Sequence, residues 1–290
     1  MRNENQPGGH SQYEERRIAT PSIHLVELPG PITLFASAYV ATFLALAYGG
    51  SAIGLPYPQW AALIAVIAAT AFTIRVAEHG RWRLGILVAP RIAAIDFLLG
   101  VAFAAALILV ADALVIATTS LRHVRGSGLP GLELAAVFVP AAIHEELAFR
   151  GYLFQKMRMW NRGAAIGIMS AVFAALHAGN RGVTALAIVN LFLAGVLLAL
   201  AYERFERLWF PIGIHLAWNL LSGPVLGFGV SGYLARATLL RTVGSGPSWV
   251  TGGIFGIEGS IWMAVVEVGG IFWLANELRI SNEKLKMTNS

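Results

Sequence analysis

Long apolar stretches separated by short polar connections dominate the chain. Eight stretches can be traced, near residues 32–51, 59–75, 93–118, 132–154, 163–178, 183–202, 208–222 and 250–276. A helix needs about 20 mostly apolar residues to cross the hydrocarbon core of a bilayer. The stretches at 163–178 and 208–222 are short for this purpose, and we expect them to be tilted, re-entrant or buried among the others. The pattern predicts an all-α polytopic membrane protein with about eight transmembrane helices and an intramembrane cavity.

The apolar region divides the chain into three parts. Residues 1–30 are polar and interrupted by Pro and Gly, and no apolar core lies close enough to the start to resemble a signal peptide. We expect them to form a mostly disordered tail. Residues 31–280 are predicted to form the transmembrane helical domain, and residues 281–290 a second, short tail.

Composition supports the membrane assignment. Hydrophobic residues make up 57% of the chain and charged residues 13%, and the mean hydropathy is +0.66. An ordinary soluble domain contains about 25% charged residues. The chain has no cysteine, which excludes a disulfide framework, a thiolate zinc site and a cysteine nucleophile. No basic stripe is interleaved with aromatic residues, so we expect the lipid bilayer to be a partner and nucleic acid not to be one.

The basic residues are distributed unevenly over the connections. Of the 21 Lys and Arg residues, 15 lie in the two tails and the even-numbered connections, and Arg150 lies within an apolar stretch. The odd-numbered connections hold the other five, which are Arg122, Arg125, Arg181, Arg236 and Arg241. Because cytoplasmic connections carry an excess of Lys and Arg, we expect a multi-pass protein of the cell membrane with both termini in the cytoplasm.

Two adjacent carboxylates and a guanidinium interrupt the stretch at 132–154. Ionisable residues within membrane-spanning segments are rare and mark candidate functional sites. Glu146 and Arg150 are four residues apart and can pair on one helical face as a structural clamp. Glu145 points about 100° away and is the candidate general base that takes a proton from water. The alternative is that Glu145 is solvated at the membrane surface. We expect His144 to be a packing residue.

Two further polar groups lie in later apolar stretches. His215 and Asn219 are four residues apart and share a helical face. Either could stabilise a developing oxyanion, or both could simply hydrogen-bond neighbouring helices. His177, taken alone, is more typical of a packing residue. The occurrence of three polar clusters in three apolar helices favours one shared intramembrane site.

These motifs resemble those of the CAAX prenyl protease type II and bacteriocin-processing family of intramembrane proteases. The family pattern is Glu-Glu-x-x-x-Arg, Phe-x-x-x-His and His-x-x-x-Asn, and it is matched in order within 130–222 by Glu145, Glu146, Arg150, Phe173, His177, His215 and Asn219. The resemblance implies a helical core of about eight spans whose site opens to the cytoplasm. It would make Glu145 the base, His177 its partner on the attacking water, and His215 with Asn219 the stabilisers of the tetrahedral intermediate.

The sequence leaves a role for zinc open. Members of this family are often described as metalloproteases, whereas another view treats the glutamate as sufficient. His177 and His215, with a carboxylate, could be zinc ligands. The His-Glu-x-x-His signature is absent, however, because Ala148 stands where the second histidine would be. We therefore favour a mechanism that requires no cofactor, with Zn²⁺ as the alternative.

The chain is thus predicted to be an intramembrane endopeptidase that hydrolyses peptide bonds of membrane-associated proteins or peptides. Specificity for prenylated proteins is not implied. The competing hypothesis is a non-catalytic membrane scaffold or a transporter that uses the same buried polar cluster. A proton or ion pathway would also use the acidic residues to which the peptidase assigns no role, namely Asp96, Asp112, Glu258 and Glu267.

Overall fold

The computed structural model describes residues 29–52 and 58–288, and most of these residues are helical. The helices are α1 (Pro29–Ala52), α2 (Pro58–Val76), α3 (Pro90–Thr118), α4 (Gly131–Glu133), α5 (Val139–Phe149), α6 (Tyr152–Trp160), α7 (Arg162–Leu176), α8 (Ala185–Phe205), α9 (Trp209–Leu220), α10 (Ser248–Thr251) and α11 (Ile261–Thr288). Two π-helical segments, Leu134–Phe138 and Leu221–Val225, adjoin α5 and α9. The strands β1 (Arg122–Arg125) and β2 (Leu240–Val243) form an antiparallel pair.

The predicted all-α polytopic architecture is confirmed. Within the described ranges, five helices are long and apolar enough to span a membrane, namely α1, α2, α3, α8 and α11. The predicted N-terminal tail lies almost entirely outside the described residues. At the other end of the chain, helix α11 continues past the predicted boundary at residue 280 to Thr288.

Two predicted stretches are interrupted in the structure. The stretch at 132–154 ends its helix at Phe149, and α6 begins only at Tyr152. Gly151 has a non-helical backbone at this break, with φ −77° and ψ −135°, and a Cβ atom there would collide with the carbonyl oxygen of Leu147. The stretch at 250–276 contains α10, a turn and a 3-10 segment before α11 starts at Ile261. Both stretches were predicted from their apolar composition alone. Composition does not reveal such breaks, because they depend on the conformation of the backbone.

Helix α9 is the centre of the bundle, as expected for one of the short stretches. Nine of its residues are buried. Gly100 of α3 and Gly213 of α9 each face backbone atoms of the other helix, so the two helices approach closely. Helix α7 differs from α9, because it exposes Ile168, Val172 and Leu176 on its outer side.

Contacts between connections define two ends of the bundle. We call the end where α1 begins and α11 ends the terminal end. There, Lys156 forms an ion pair with Glu78, and Arg158 forms one with Glu203. The opposite end, which we call the loop end, carries the β1–β2 pair and the connections around 177–184 and 226–260. The Asn180 amide donates to the carbonyl of Ser231 across this end, at 2.9 Å.

Prolines account for the π-helical segments on either side of the site. Pro140 has no N–H to donate to the carbonyl four residues earlier. The chain instead forms a wider turn, in which the Val139 amide donates to the Leu134 carbonyl. Pro224 lies in the second segment, where the Leu226 amide donates to the Leu221 carbonyl at 2.9 Å. Such π turns within helices are frequent at functional sites.

Candidate active site

A cavity of about 240 Å³ lies between α5, α7, α8 and α9. Its walls are mainly apolar. Its polar lining includes all four predicted catalytic residues together with one further carboxylate, and these are Glu145, His177, His215, Asn219 and Glu258. Polar residues from four separate apolar stretches are therefore brought to one cavity.

Glu146 and Arg150 form the predicted pair, and the pair also holds His215. Glu146 is completely buried, and its Oε1 accepts from Arg150 Nη1 at 3.1 Å. The same Oε1 lies 2.7 Å from His215 Nδ1. Arg150 Nη2 donates to the Gly195 carbonyl at 3.0 Å. Since a carboxylate is acceptor-only, His215 Nδ1 is the donor and its Nε2 faces the cavity. Sequence analysis missed this contact, because Glu146 and His215 are 69 residues apart.

Glu145 is the carboxylate that the cavity can reach. Its side chain is 22% exposed, whereas that of Glu146 is 0% exposed. Glu145 Oε2 lies 3.7 Å from His215 Nε2, which is too long for a direct hydrogen bond. A separation of this size is suited to a bridging water molecule. The neighbouring glutamates therefore differ in access, as their helical spacing predicted.

His177 lies at the C-terminal end of α7 and is oriented by its own helix. Its Nδ1 lies 2.8 Å from the carbonyl oxygen of Phe173, to which it donates, so Nε2 is the nitrogen available to the cavity. The Phe173 ring centroid is 4.7 Å from that of His177 and 6.3 Å from that of His215. The Cζ atom of Arg150 lies 5.3 Å from the centroid of the Phe173 ring. Phe173 thus packs against three polar members of the site.

Glu258 is a cavity residue to which sequence analysis assigned no role. Its Oε1 accepts from the Trp218 indole at 3.0 Å, and its Oε2 accepts from the Ser231 hydroxyl at 2.9 Å and from the Ser231 amide. Trp218 immediately precedes Asn219 on α9. A carboxylate in a stretch of Gly, Ile and Phe was the only sequence signal for it.

The other ionisable residues singled out from the sequence, Asp96, Asp112, Glu267 and His144, do not line the cavity. Asp96 pairs with Arg207, and Asp112 lies 3.0 Å from His123. Glu267 is buried, and its Oε2 has no partner among the described residues. His144 Nε2 lies 2.8 Å from the Tyr39 hydroxyl on α1, as expected for a packing residue.

The donor arrangement does not fit a zinc ion. Over residues 29–52 and 58–288, no three His, Cys, Asp or Glu side chains are grouped as a metal would require. The hydrogen bonds of His215 Nδ1 to Glu146 and of His177 Nδ1 to a backbone carbonyl leave both Nε2 atoms free, so the spacing of the side chains, and not their hydrogen bonding, argues against a metal. A structural or catalytic zinc site takes at least three protein ligands.

Comparison with known families identifies the segment that carries the site. Residues 128–221 match the family model described as type II CAAX prenyl endopeptidase Rce1-like. After the family model that it resembles, we call residues 128–221 the Rce1-like domain. The resemblance stated from the motifs is therefore confirmed, over roughly a third of the chain. The Rce1-like domain contains Glu145, Arg150, His177 and Asn219, but not Glu258. A comparison with curated proteins finds no match.

The cavity of the Rce1-like domain extends from Glu145 toward the loop end. Residues near its rim are Gln59, at the start of α2, and Asn180, Ser231 and Tyr233 in the loop-end connections. The described chain begins and ends at the opposite end of the bundle. The residues near the cavity rim therefore lie at the end of the bundle opposite the described chain ends.

Proposed function

We propose that the protein is an intramembrane endopeptidase in which Glu145 activates the attacking water. The observation that carries the proposal is the meeting of Glu145, His177, His215 and Asn219 in one cavity, with only the first of two adjacent glutamates open to it. The Rce1-like domain supports a peptidase of this family type. The substrate class is a membrane-associated protein or peptide.

The mechanism follows from the free atoms of each side chain. Glu145 takes a proton from water, and His177 Nε2 accepts a hydrogen bond from the same water and orients it. The water oxygen bonds to the carbonyl carbon, and negative charge develops on the carbonyl oxygen. The Asn219 amide donates to this oxyanion. His215 Nε2 also faces the cavity, and it is a second donor to the oxyanion when the ring carries a proton on both nitrogens. The C–N bond then breaks as Glu145 returns its proton to the leaving amine.

Replacement of Glu145 by Gln tests the general base. The amide has nearly the same shape and cannot take a proton from water, so cleavage should fall to background while folding is retained. The assay measures cleavage of a mixed library of internally quenched apolar peptides by purified protein in detergent. Glu267→Gln, which removes a buried glutamate outside the cavity, is the matched control and should remain active. Cleavage by Glu145→Gln at the wild-type rate would contradict the assignment.

We further propose that no metal takes part. Asn219→Ala should then lower the cleavage rate by about 10²–10³, the loss typical of one oxyanion donor. Its metal content and thermal stability should match those of the wild type. Elemental analysis of chelator-washed, active protein should find zinc well below one equivalent. The metal-free mechanism is wrong if near-stoichiometric zinc must be restored before cleavage returns.

A further inference from the structure

We infer that the substrate reaches the cavity from the non-cytoplasmic side of the membrane. This inference deepens the proposed function and rests on it for the reaction, but its geometry is independent of the chemistry. Two observations carry it. One is the position of the cavity relative to the chain termini, and the other is the distribution of basic residues between the two ends.

Specific contacts fix which residues share an end. At the terminal end, Glu78 contacts Lys156, Trp82 contacts Gln155, and Arg204 lies near Glu277 of α11. At the loop end, Trp262 at the start of α11 donates to Thr118 at the end of α3, and β1 pairs with β2. Gln59, Asn180 and Ser231, which line the cavity, belong to the loop end. The cavity and the termini are therefore on opposite sides.

The charge asymmetry then assigns the sides. The terminal end carries exposed Arg75, Arg81, Arg83 and Arg91 in and beside one connection, with further basic residues around α6 and at the end of α8. The loop end holds only five of the 21 Lys and Arg residues. Because the positive side faces the cytoplasm, the loop end faces away from it.

This orientation narrows the substrate class. The cleaved segment would belong to an exported or membrane-spanning polypeptide that exposes an extended stretch at the non-cytoplasmic leaflet. A lipid-modified C-terminus confined to the cytoplasm would not reach Glu145 by this route. The apolar cavity walls fit a hydrophobic segment, and no residue type among those lining the cavity specifies an isoprenoid.

Cysteine labelling tests the orientation without any assay of activity. The natural chain has no cysteine, so single substitutions suffice. Ser127→Cys lies at the exposed loop end and Arg81→Cys at the exposed terminal end. An impermeant maleimide added to intact cells should label Ser127→Cys, and should label Arg81→Cys only after the membrane is permeabilised. Any other pattern overturns the inference, whether or not the protein cleaves peptides.

Sealed vesicles test the route of the substrate. An impermeant quenched peptide, chosen from those cleaved in detergent, should be hydrolysed by right-side-out vesicles and spared by inside-out vesicles. After detergent is added, the two preparations should cleave the peptide at the same rate. Cleavage confined to inside-out vesicles would overturn the inference. If no peptide is cleaved in detergent, the proposed function fails while the labelling result still stands.

A separate observation, the three hydrogen bonds accepted by Glu258, assigns this residue as a positioning residue. Glu258 joins α9, through Trp218, to the connection at the cavity rim, through Ser231. Ser231 has a φ of 46°, a left-handed conformation that is uncommon for a residue other than Gly. Three donors directed at one carboxylate hold this backbone in place. Glu258 thereby fixes both the neighbour of Asn219 and the rim of the cavity.

Glu258→Gln should loosen this junction, because an amide nitrogen would face at least one of the former donors. Hydrogen–deuterium exchange in residues 226–239 should rise, whereas Glu267→Gln should leave it unchanged. This readout does not depend on peptidase activity. Unchanged exchange in folded Glu258→Gln protein would overturn the assignment. If that variant does not fold, Trp218→Phe takes its place, because it removes only the indole donor. Exchange in residues 226–239 should rise in this variant too, and unchanged exchange would again overturn the assignment.

The kinetic consequence rests on the proposed function. Glu258→Gln and Trp218→Phe should each lower kcat by about tenfold with less than a threefold change in KM. The double variant should be no slower than the slower single variant, because both remove one interaction. The link between Glu258 and the Asn219 face would be overturned if the losses in kcat of the single variants multiplied in the double variant. It would also be overturned if neither single variant changed kcat.

Discussion

Glu145 and Glu146 are neighbours in sequence with opposite environments. The pairing of Glu146 with Arg150 could be predicted, because residues four apart on a helix share a face. The separation of Glu145 from that pair follows from the same spacing. The contact from Glu146 to His215 could not be predicted, since it depends on how α5 packs against α9. Local spacing therefore separated the candidate base from the Glu146–Arg150 pair, but it could not show that this pair also contacts His215.

Arg150→Ala should destabilise the folded protein. It removes one partner of a fully buried pair and leaves the Glu146 charge opposed only by His215, at a typical cost of about 3–5 kcal/mol. Thermal unfolding in detergent and the yield of monodisperse protein measure the loss. Arg91→Ala, at an exposed arginine, is the matched control and should behave like the wild type. Equal stability of the two variants would show that the clamp is not structural.

Helices α7 and α8 cross at a position where the chain has no room for a side chain. A Cβ atom on Gly195 would lie 2.8 Å from the Ser170 Cα atom of α7. The Gly195 carbonyl also accepts from Arg150, so this crossing supports the Glu146–Arg150–His215 contacts. Apolar periodicity predicted both helices. It could not predict their separation, nor the interruptions at Gly151 and before Ile261, because these depend on backbone conformation rather than hydropathy.

Gly195→Ala should force α7 and α8 apart and lower stability by about 1–3 kcal/mol, as overpacking of a helix interface commonly does. Activity should fall as well, because the carbonyl that binds Arg150 moves. Gly167→Ala on α7 is the matched control, since a Cβ atom there meets nothing within 4 Å. The two variants should separate clearly in thermal unfolding and in peptide cleavage. Similar melting of both would contradict the close crossing.

At the scale of the whole molecule, the two ends of the bundle have different chemistry. The cavity lining at the loop end is neutral and acidic, whereas ion pairs join the connections of the terminal end. The helical membrane character and the charge asymmetry were predictable from sequence, but among the described residues five helices, and not the expected eight or so, are long and apolar enough to span a membrane. The sequence already placed His177 at the end of its apolar stretch, beside an odd-numbered connection. The family resemblance suggested a site that opens to the cytoplasm, which differs from the orientation that we infer from the packed helices and the basic residues.

The ion pairs of the terminal end predict how stability depends on pH. Burial acts to raise the pKa of Glu78, but hydrogen bonds from Lys156 and Tyr152 outweigh it and hold the pKa below its ordinary value of 4.5. The folded protein therefore binds this proton less readily than the unfolded chain. The stabilisation is complete above the ordinary pKa and is lost as pH falls through the lowered folded-state pKa.

The temperature of thermal unfolding in detergent should accordingly fall as pH is lowered from about 6 toward 3. Glu78→Gln should start less stable at neutral pH and show a shallower decline, because its amide cannot be protonated in this range. Glu283→Gln, at an exposed position near the end of α11, is the matched control and should follow the wild-type curve. Parallel curves for wild type and Glu78→Gln would show that the contacts of Glu78 with Lys156 and Tyr152 do not stabilise the terminal end.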